Sequence, residues 1–166
     1  MKVSKDKKEI LEDDEELEID EYKKDEIFLK THENINQDIC GEIESLEFGF
    51  VKLKLVTTHE MIADSMSLIH SGFIFSAADY AAMAAVNEGN VVLVASNCQF
   101  LSPVKFGDIV SFVAKVRHKE GRKRNVNVIG NVLDIKVFEG EFKTVVTDRH
   151  VLKLKLIEEE DENSHE

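Results

Sequence analysis

The chain has 166 residues, 43% of them hydrophobic, which suits one globular domain with a buried core. Its net charge of -12 sits at the ends: residues 1–26 hold twelve acids against six lysines, and 158–166 hold six acids and no Lys or Arg, so 27–157 is neutral. A neutral domain with acidic ends argues against nucleic-acid binding, and two cysteines, Cys40 and Cys98, are too few for a disulfide framework.

Residues 1–26 read as an acidic, disordered tail with at most a transient helix over 9–22. The start is Lys-rich and lacks an apolar h-region, so no secretory signal is expected. The longest apolar stretch, 73–86, is short for a membrane span and contains Asp79. These features point to the cytoplasm, with both thiols reduced.

The folded domain is expected over 27–157. Ile39, Gly41 and Ile43, then Phe50, Leu53 and Leu55, predict two strands between Gln37 and Thr58, with a turn at 47–49. A loop follows over 59–69. The segment 71–87, with six alanines, predicts a helix capped by Ser71 and closed before Gly89. Its apolar residues lie on every side, so the helix is expected to be buried.

Four strands are then predicted at 91–100, 108–118, 124–133 and 137–147. Turns are expected at 103–107, at Glu120–Gly121, and at Glu139–Gly140, the last either a turn or a bulge. Alternation over 151–157 predicts a short edge strand, and 158–166 reads as a second acidic tail. Two strands, one buried helix and an antiparallel meander make an α+β domain in which a curved sheet wraps one long helix.

Three segments carry a family resemblance. The run His70-Ser71-Gly72-Phe73-Ile74-Phe75-Ser76-Ala77-Ala78-Asp79 resembles the His-Gly-Gly…Ala-Asp signature of the phenylacetyl-CoA-type hot-dog thioesterases. Phe100-Leu101-Ser102-Pro103-Val104-Lys105-Phe106-Gly107-Asp108 is similar to that family's Phe-Leu-x-Pro-x-x-x-Gly-Asp turn. Gly121-Arg122-Lys123, with Val137-Phe138-Glu139-Gly140-Glu141-Phe142, resembles the effector domain of the malonyl-CoA-sensing fatty-acid repressor. The chain also resembles flagellum-coexpressed hot-dog proteins described as virulence factors. The resemblance spans about residues 40–147 and implies a dimerised hot-dog fold that binds acyl-CoA and hydrolyses it. Two positions depart from the thioesterase pattern: Ser71 replaces a Gly, and Asp64 stands where an Asn is usual.

Hydrolysis needs a group that polarises the thioester carbonyl and a group that activates water or attacks. The amides of Ser71 and Gly72 are placed at the positive end of the helix for the first task, and Gly72 permits close backbone approach. The alternative is an ordinary helix start. Asp79, mid-helix in the most apolar segment, suits the second task, since burial raises a carboxyl pKa and a base or nucleophile is needed there. A buried Asp satisfied by its surroundings is the alternative.

By resemblance, His70 shapes the loop and is not the base. Asp64 orients water or substrate, or only caps a turn. Asn97 either reaches the site or is a strand amide. The basic run Lys115, Arg117, His118, Lys119, Arg122, Lys123 and Arg124 offers phosphate recognition for CoA, with Arg122 and Lys123 at its turn, or is a solvated hairpin.

No zinc spacing, phosphate loop or nucleophile elbow is found, so no cofactor or metal is expected beyond the CoA moiety of the substrate. The competing reading is a non-catalytic regulatory protein that binds acyl-CoA or acyl-carrier protein. The apolar run at 91–94 on an edge strand predicts a homodimer, or a tetramer built from it.

Overall fold

The computed structural model describes residues 26–154. Its elements are α1 (Gln37–Cys40), β1 (Glu42–Glu47), β2 (Phe50–Val56), a 3-10 turn (His59–Met61), α2 (Ser71–Val86), β3 (Val91–Phe100), β4 (Ile109–Glu120), β5 (Lys123–Val132) and β6 (Ile135–Val146). The strands form one antiparallel, curved sheet in the order β1-β2-β4-β5-β6-β3. The chain leaves β2, crosses the sheet as α2, and returns as β3 on the far edge. This is the hot-dog arrangement.

Period-two alternation builds the face that α2 covers. Val110, Phe112 and Ala114 on β4, Val126 and Val128 on β5, and Phe138, Phe142 and Thr144 on β6 are buried toward the helix. They enclose Ala77, Ala78 and the run Tyr80–Ala85. A helix of alanines with one tyrosine fits against a sheet bearing the large residues Phe112, Phe138 and Phe142, so bulk alternates between the layers.

Gly140 is required by this packing. A Cβ there would meet Cys98 Sγ at 2.8 Å and the rings of Phe138 and Phe142 at 3.1 Å. Glu139 and Gly140 therefore form neither a turn nor a bulge; both pair in register inside β6, and the hairpin turn falls instead between Val132 and Ile135.

Three further expectations are corrected. Ile39 lies on α1, where Asn36 accepts the Asp38 amide and caps a single helical turn. Ser71 is the first helical residue of α2, and the cap is His70, which makes no side-chain cap bond. Residues 151–154 are helical, closed by the Lys153 and Leu154 amides onto His150 O; the rest of the expected strand at 151–157 lies outside the described residues. Both acidic tails also lie there, Glu26 excepted.

At the far end of α2, Asn87 takes the left-handed conformation, φ 50°. Its side chain accepts from Lys30 N at 2.7 Å and donates to Phe28 O at 2.8 Å. The helix end thereby clamps the extended arm that precedes α1. Among the described residues no helix is long and apolar enough to cross a membrane.

Candidate active site

The start of α2 is prepared by two loops. Asp64 Oδ1 accepts from Met66 N at 2.9 Å and Leu68 N at 3.1 Å, which folds 62–69 into a turn. Backbone bonds Ile69 N to Val104 O and Phe106 N to Ser67 O bind that turn to the 100–108 loop. Asp64 therefore acts as a turn cap in this chain.

The two sequence signatures at 70–79 and 100–108 thus meet in space. Between them lies a cavity of about 340 Å³, lined by His70, Ser71, Ile74, Pro103, Val104 and Phe100 among others. Leu68, Phe100 and Val137 were not given site roles from sequence. Phe100 carried a signal as the first residue of the turn signature, and Val137 as the first residue of the repressor-like segment.

The Phe73 amide donates to His70 O at 3.1 Å, whereas the Ser71 and Gly72 amides find no backbone acceptor among the described residues. Both residues are exposed. These are the free N–H groups of the helix start, aimed with the positive end of the helix dipole. The His70 imidazole lies over Gly72, where a Cβ would meet Nε2 at 3.0 Å, and stands edge-on to Phe73 at 6.2 Å between centroids. The absent side chain of Gly72 is what lets the ring close over the helix start.

Asp79 lies eight residues along α2 from Ser71. At 1.5 Å rise per residue that is about 12 Å, beyond direct contact. The two ends share one face: Gly72 and Asp79 are seven apart, with Phe75 and Ser76 between them at helical spacing. Phe75 packs on Phe142 of β6, at 5.7 Å between centroids, and Ser76 meets Cys40 of α1 at 3.2 Å. The stripe between them is only partly covered.

Burial pushes the Asp79 carboxyl up to about 6. Among the described residues, Asp79 Oδ1 is the buried side-chain polar atom that finds no hydrogen-bond partner. The helix-facing side of β3 carries Ser96, Cys98 and Phe100, since these pair with the inward positions Phe142, Gly140 and Phe138 of β6. Burial pushes the Cys98 thiol up; Ser96 pulls it down and the Asp79 charge pushes it up. The unpaired carboxylate therefore stands near the open edge of the sheet.

The other candidates lie elsewhere. Asn97 pairs with Glu141 and faces away from α2, so it cannot reach Asp79 of its own chain. It lines a second cavity of about 360 Å³ on the outer face of the sheet. Arg122 is held by Asp148 in an exposed ion pair, and Arg124 donates to Gly121 O and Lys123 O, tying the β4–β5 turn. Lys123 is exposed at that turn.

Comparison with known proteins adds the relatives. A family model described as Thioesterase superfamily matches residues 66–129. The chain is 32% identical over 125 residues to the acyl-coenzyme A thioesterase PaaI of Escherichia coli, covering 71% of this chain and 84% of that protein. It is 28% identical over 130 residues to the transcription factor FapR of a Thermoanaerobacter species, covering 78% of this chain and 65% of that protein. It is 47% identical over 117 residues to the methylthioribose-1-phosphate isomerase of Aquifex aeolicus, covering 70% of this chain but only 26% of that protein. In structure it resembles Cj0977, a sigma28-regulated virulence protein from Campylobacter jejuni, with TM-score 0.72, 40% identity, and 74% and 95% of the two chains covered.

Proposed function

The chain belongs to the thioesterase superfamily, and from that premise we propose that it binds an acyl-CoA or related acyl thioester and hydrolyses it. The observation that carries the reading is Asp79: a half-buried carboxylate in an apolar helix, one oxygen without a partner, its pKa raised to about 6. Such a group costs stability, and groups of this kind cluster at functional sites. With a pKa near 6 it is largely ionised at neutral pH and still basic enough to take a proton from water.

The active site in this reading is shared. The thioester carbonyl rests on the Ser71 and Gly72 amides of one protomer, with its acyl chain in the cavity beneath His70 and Phe100. Asp79 of the partner protomer activates water against it. One chain cannot do this alone, because about 12 Å of helix separates its two halves of the machinery. Pairing two copies along the open edge of β3, with the stripe from Gly72 to Asp79 facing the joint, brings opposite ends of the two helices together by symmetry. Amides at such a position typically contribute about 3–4 kcal/mol to the transition state. The assembly is a homodimer, or a multiple of it.

Similarity to a transcription factor supports a second reading, a domain that binds an acyl thioester or acyl-carrier protein without cleaving it. In that case Asp79 would have no catalytic use. Release of free thiol across a panel of acyl-CoAs, measured beside direct binding of the same panel, separates the two. Turnover is expected on at least one member; binding without thiol release on any member would establish the second reading.

A further inference from the structure

We propose that the cavity beneath His70 takes neutral, methyl-terminated acyl chains of about six to ten carbons and rejects acyl groups that end in a carboxylate. This selection rests on the acyl-thioester reading of the site; the cavity walls decide which acyl group it admits. The cavity has an exposed mouth and a buried floor. His70, Ser71 and Phe100 stand exposed at the mouth, whereas Ile69, Ile74, Val104 and Val137 are buried. Ile74 follows Ser71 by three residues, one turn along α2 on the side of the free amides. A thioester carbonyl held by those amides therefore directs its acyl chain toward the buried end.

All four floor residues branch at Cβ, which restricts their side chains. Their backbone is tied as well: the Ile69 amide donates to Val104 O and the Leu101 amide to Val137 O, both at 2.8 Å. A floor that is stiff and apolar sets a length limit. At about 30 Å³ for each group the size of a water molecule or a methylene, about 340 Å³ holds about 11 such groups, with the open mouth included.

Charge selection follows from the same walls. Among the described residues, no Lys, Arg, Asp or Glu lines the cavity. Lys105 pairs with Leu68 in an isolated backbone bridge but is not part of the wall. His70 is the one titratable side chain that lines it, and its ring stands at the mouth, over Gly72. A carboxylate carried to the floor at the end of an acyl chain would lose its water with no cation to replace it, which weakens binding on the order of 100-fold or more. A hydrocarbon chain gains instead, by about four-fold for each methylene buried.

Equilibrium binding of CoA thioesters to the full-length Asp79→Asn variant tests this, because that variant keeps the cavity and reads selection apart from turnover. Affinity is expected to rise from acetyl- to octanoyl-CoA by up to about four-fold per methylene, and dodecanoyl-CoA is expected to gain nothing over decanoyl-CoA. Adipoyl- and suberoyl-CoA, matched in length to hexanoyl- and octanoyl-CoA, are expected to bind about 100-fold more weakly than those partners. Adding Ile74→Phe, which fills the floor, should move the preference to acetyl- and butyryl-CoA. Adding Val104→Ala, which enlarges it, should move the preference to longer chains, with circular dichroism confirming the fold of each. Equal affinity for octanoyl- and suberoyl-CoA, or for acetyl- and octanoyl-CoA, overturns the selection and leaves thioester binding standing. A length preference that neither folded variant moves overturns the role of the floor. Absence of binding to every thioester, with no thiol released by the wild type, refutes the reading on which the selection rests and the selection with it.

Discussion

Burial of Asp79 works against the fold in proportion to its ionisation. Its folded pKa of about 6 lies above the ordinary carboxyl value of 3.8, so the folded chain holds the proton more tightly than the unfolded one. The stability this gives is full below about pH 4 and is lost as pH rises through about 6. The shift corresponds to at most about 3 kcal/mol, less wherever water or a partner's helix start faces the carboxylate. Asp79→Asn should therefore raise the melting midpoint at pH 8 and leave it nearly unchanged at pH 4; a variant less stable at pH 8 would contradict this. The same substitution should lower kcat by about 100- to 10,000-fold with little change in thioester affinity. In the wild type, kcat/KM should rise with pH along an acid limb centred near 6, and the Asn variant should lose that limb. Asp79 was legible in the sequence because a carboxylate among alanines has no packing reason to be there. Asn97 was not legible. Alternation counted from the buried Val91 puts it on the helix side, but the irregularity between Leu93 and Ala95 makes Val94 an extra residue and reverses the parity of everything after it.

Elements owe their stability to a few joints that a single change can open. Asn87 makes two hydrogen bonds to the 26–36 arm and holds the left-handed end of α2. Asn87→Ala loses both bonds, each worth about 1 kcal/mol, and adds left-handed strain, so chemical denaturation should show a loss of about 2 kcal/mol or more. An unchanged midpoint would mean that the arm does not rest on the helix in solution. Strand β3 presents Val94 at 59% exposure on an open edge ten residues long. Lysines at an edge prevent strand pairing while leaving the exposed face of the monomer unharmed. Val94→Lys with Ala95→Lys, both exposed and Ala95 paired with the outward Lys143, should therefore halve the assembly mass and abolish thiol release together; retained activity in the smaller species would refute a shared site. The long elements were readable, since 71–86 and 91–100 follow from composition and alternation. The 151–157 segment was not: its alternation of Val, Leu and Ile suits a strand and a short helix alike, and local bonds from the Leu152, Lys153 and Leu154 amides onto His150 close a helical turn at 151–154.

At the scale of the whole molecule, the acidity belongs to the ends of the sequence, and the neutral segment 27–157 carries the core. Deleting 1–26 and 158–166 together is expected to shift the melting midpoint by only a few degrees, and a large loss would show that an end docks on the domain. The layout of strands and helix was legible from pattern and resemblance, and a predicted helix over 71–87 with Asp79 mid-helix already set Asp79 apart from the Ser71 and Gly72 amides by helix rise. The claim that one active site takes Asp79 from one protomer and the helix start from the other can be tested by mixing two inactive proteins. Asp79→Asn keeps an intact helix start; Gly72→Val keeps Asp79 and fills the approach to the amides, displacing the His70 ring. Unfolded and refolded together in equal amounts, they should pair at random, giving half mixed dimers with one complete site in each, so thiol release should recover to about a quarter of the wild-type rate. Recovery to that level is the result the account predicts; a mixture as inactive as its components, with mixed assemblies verified by mass, would contradict it.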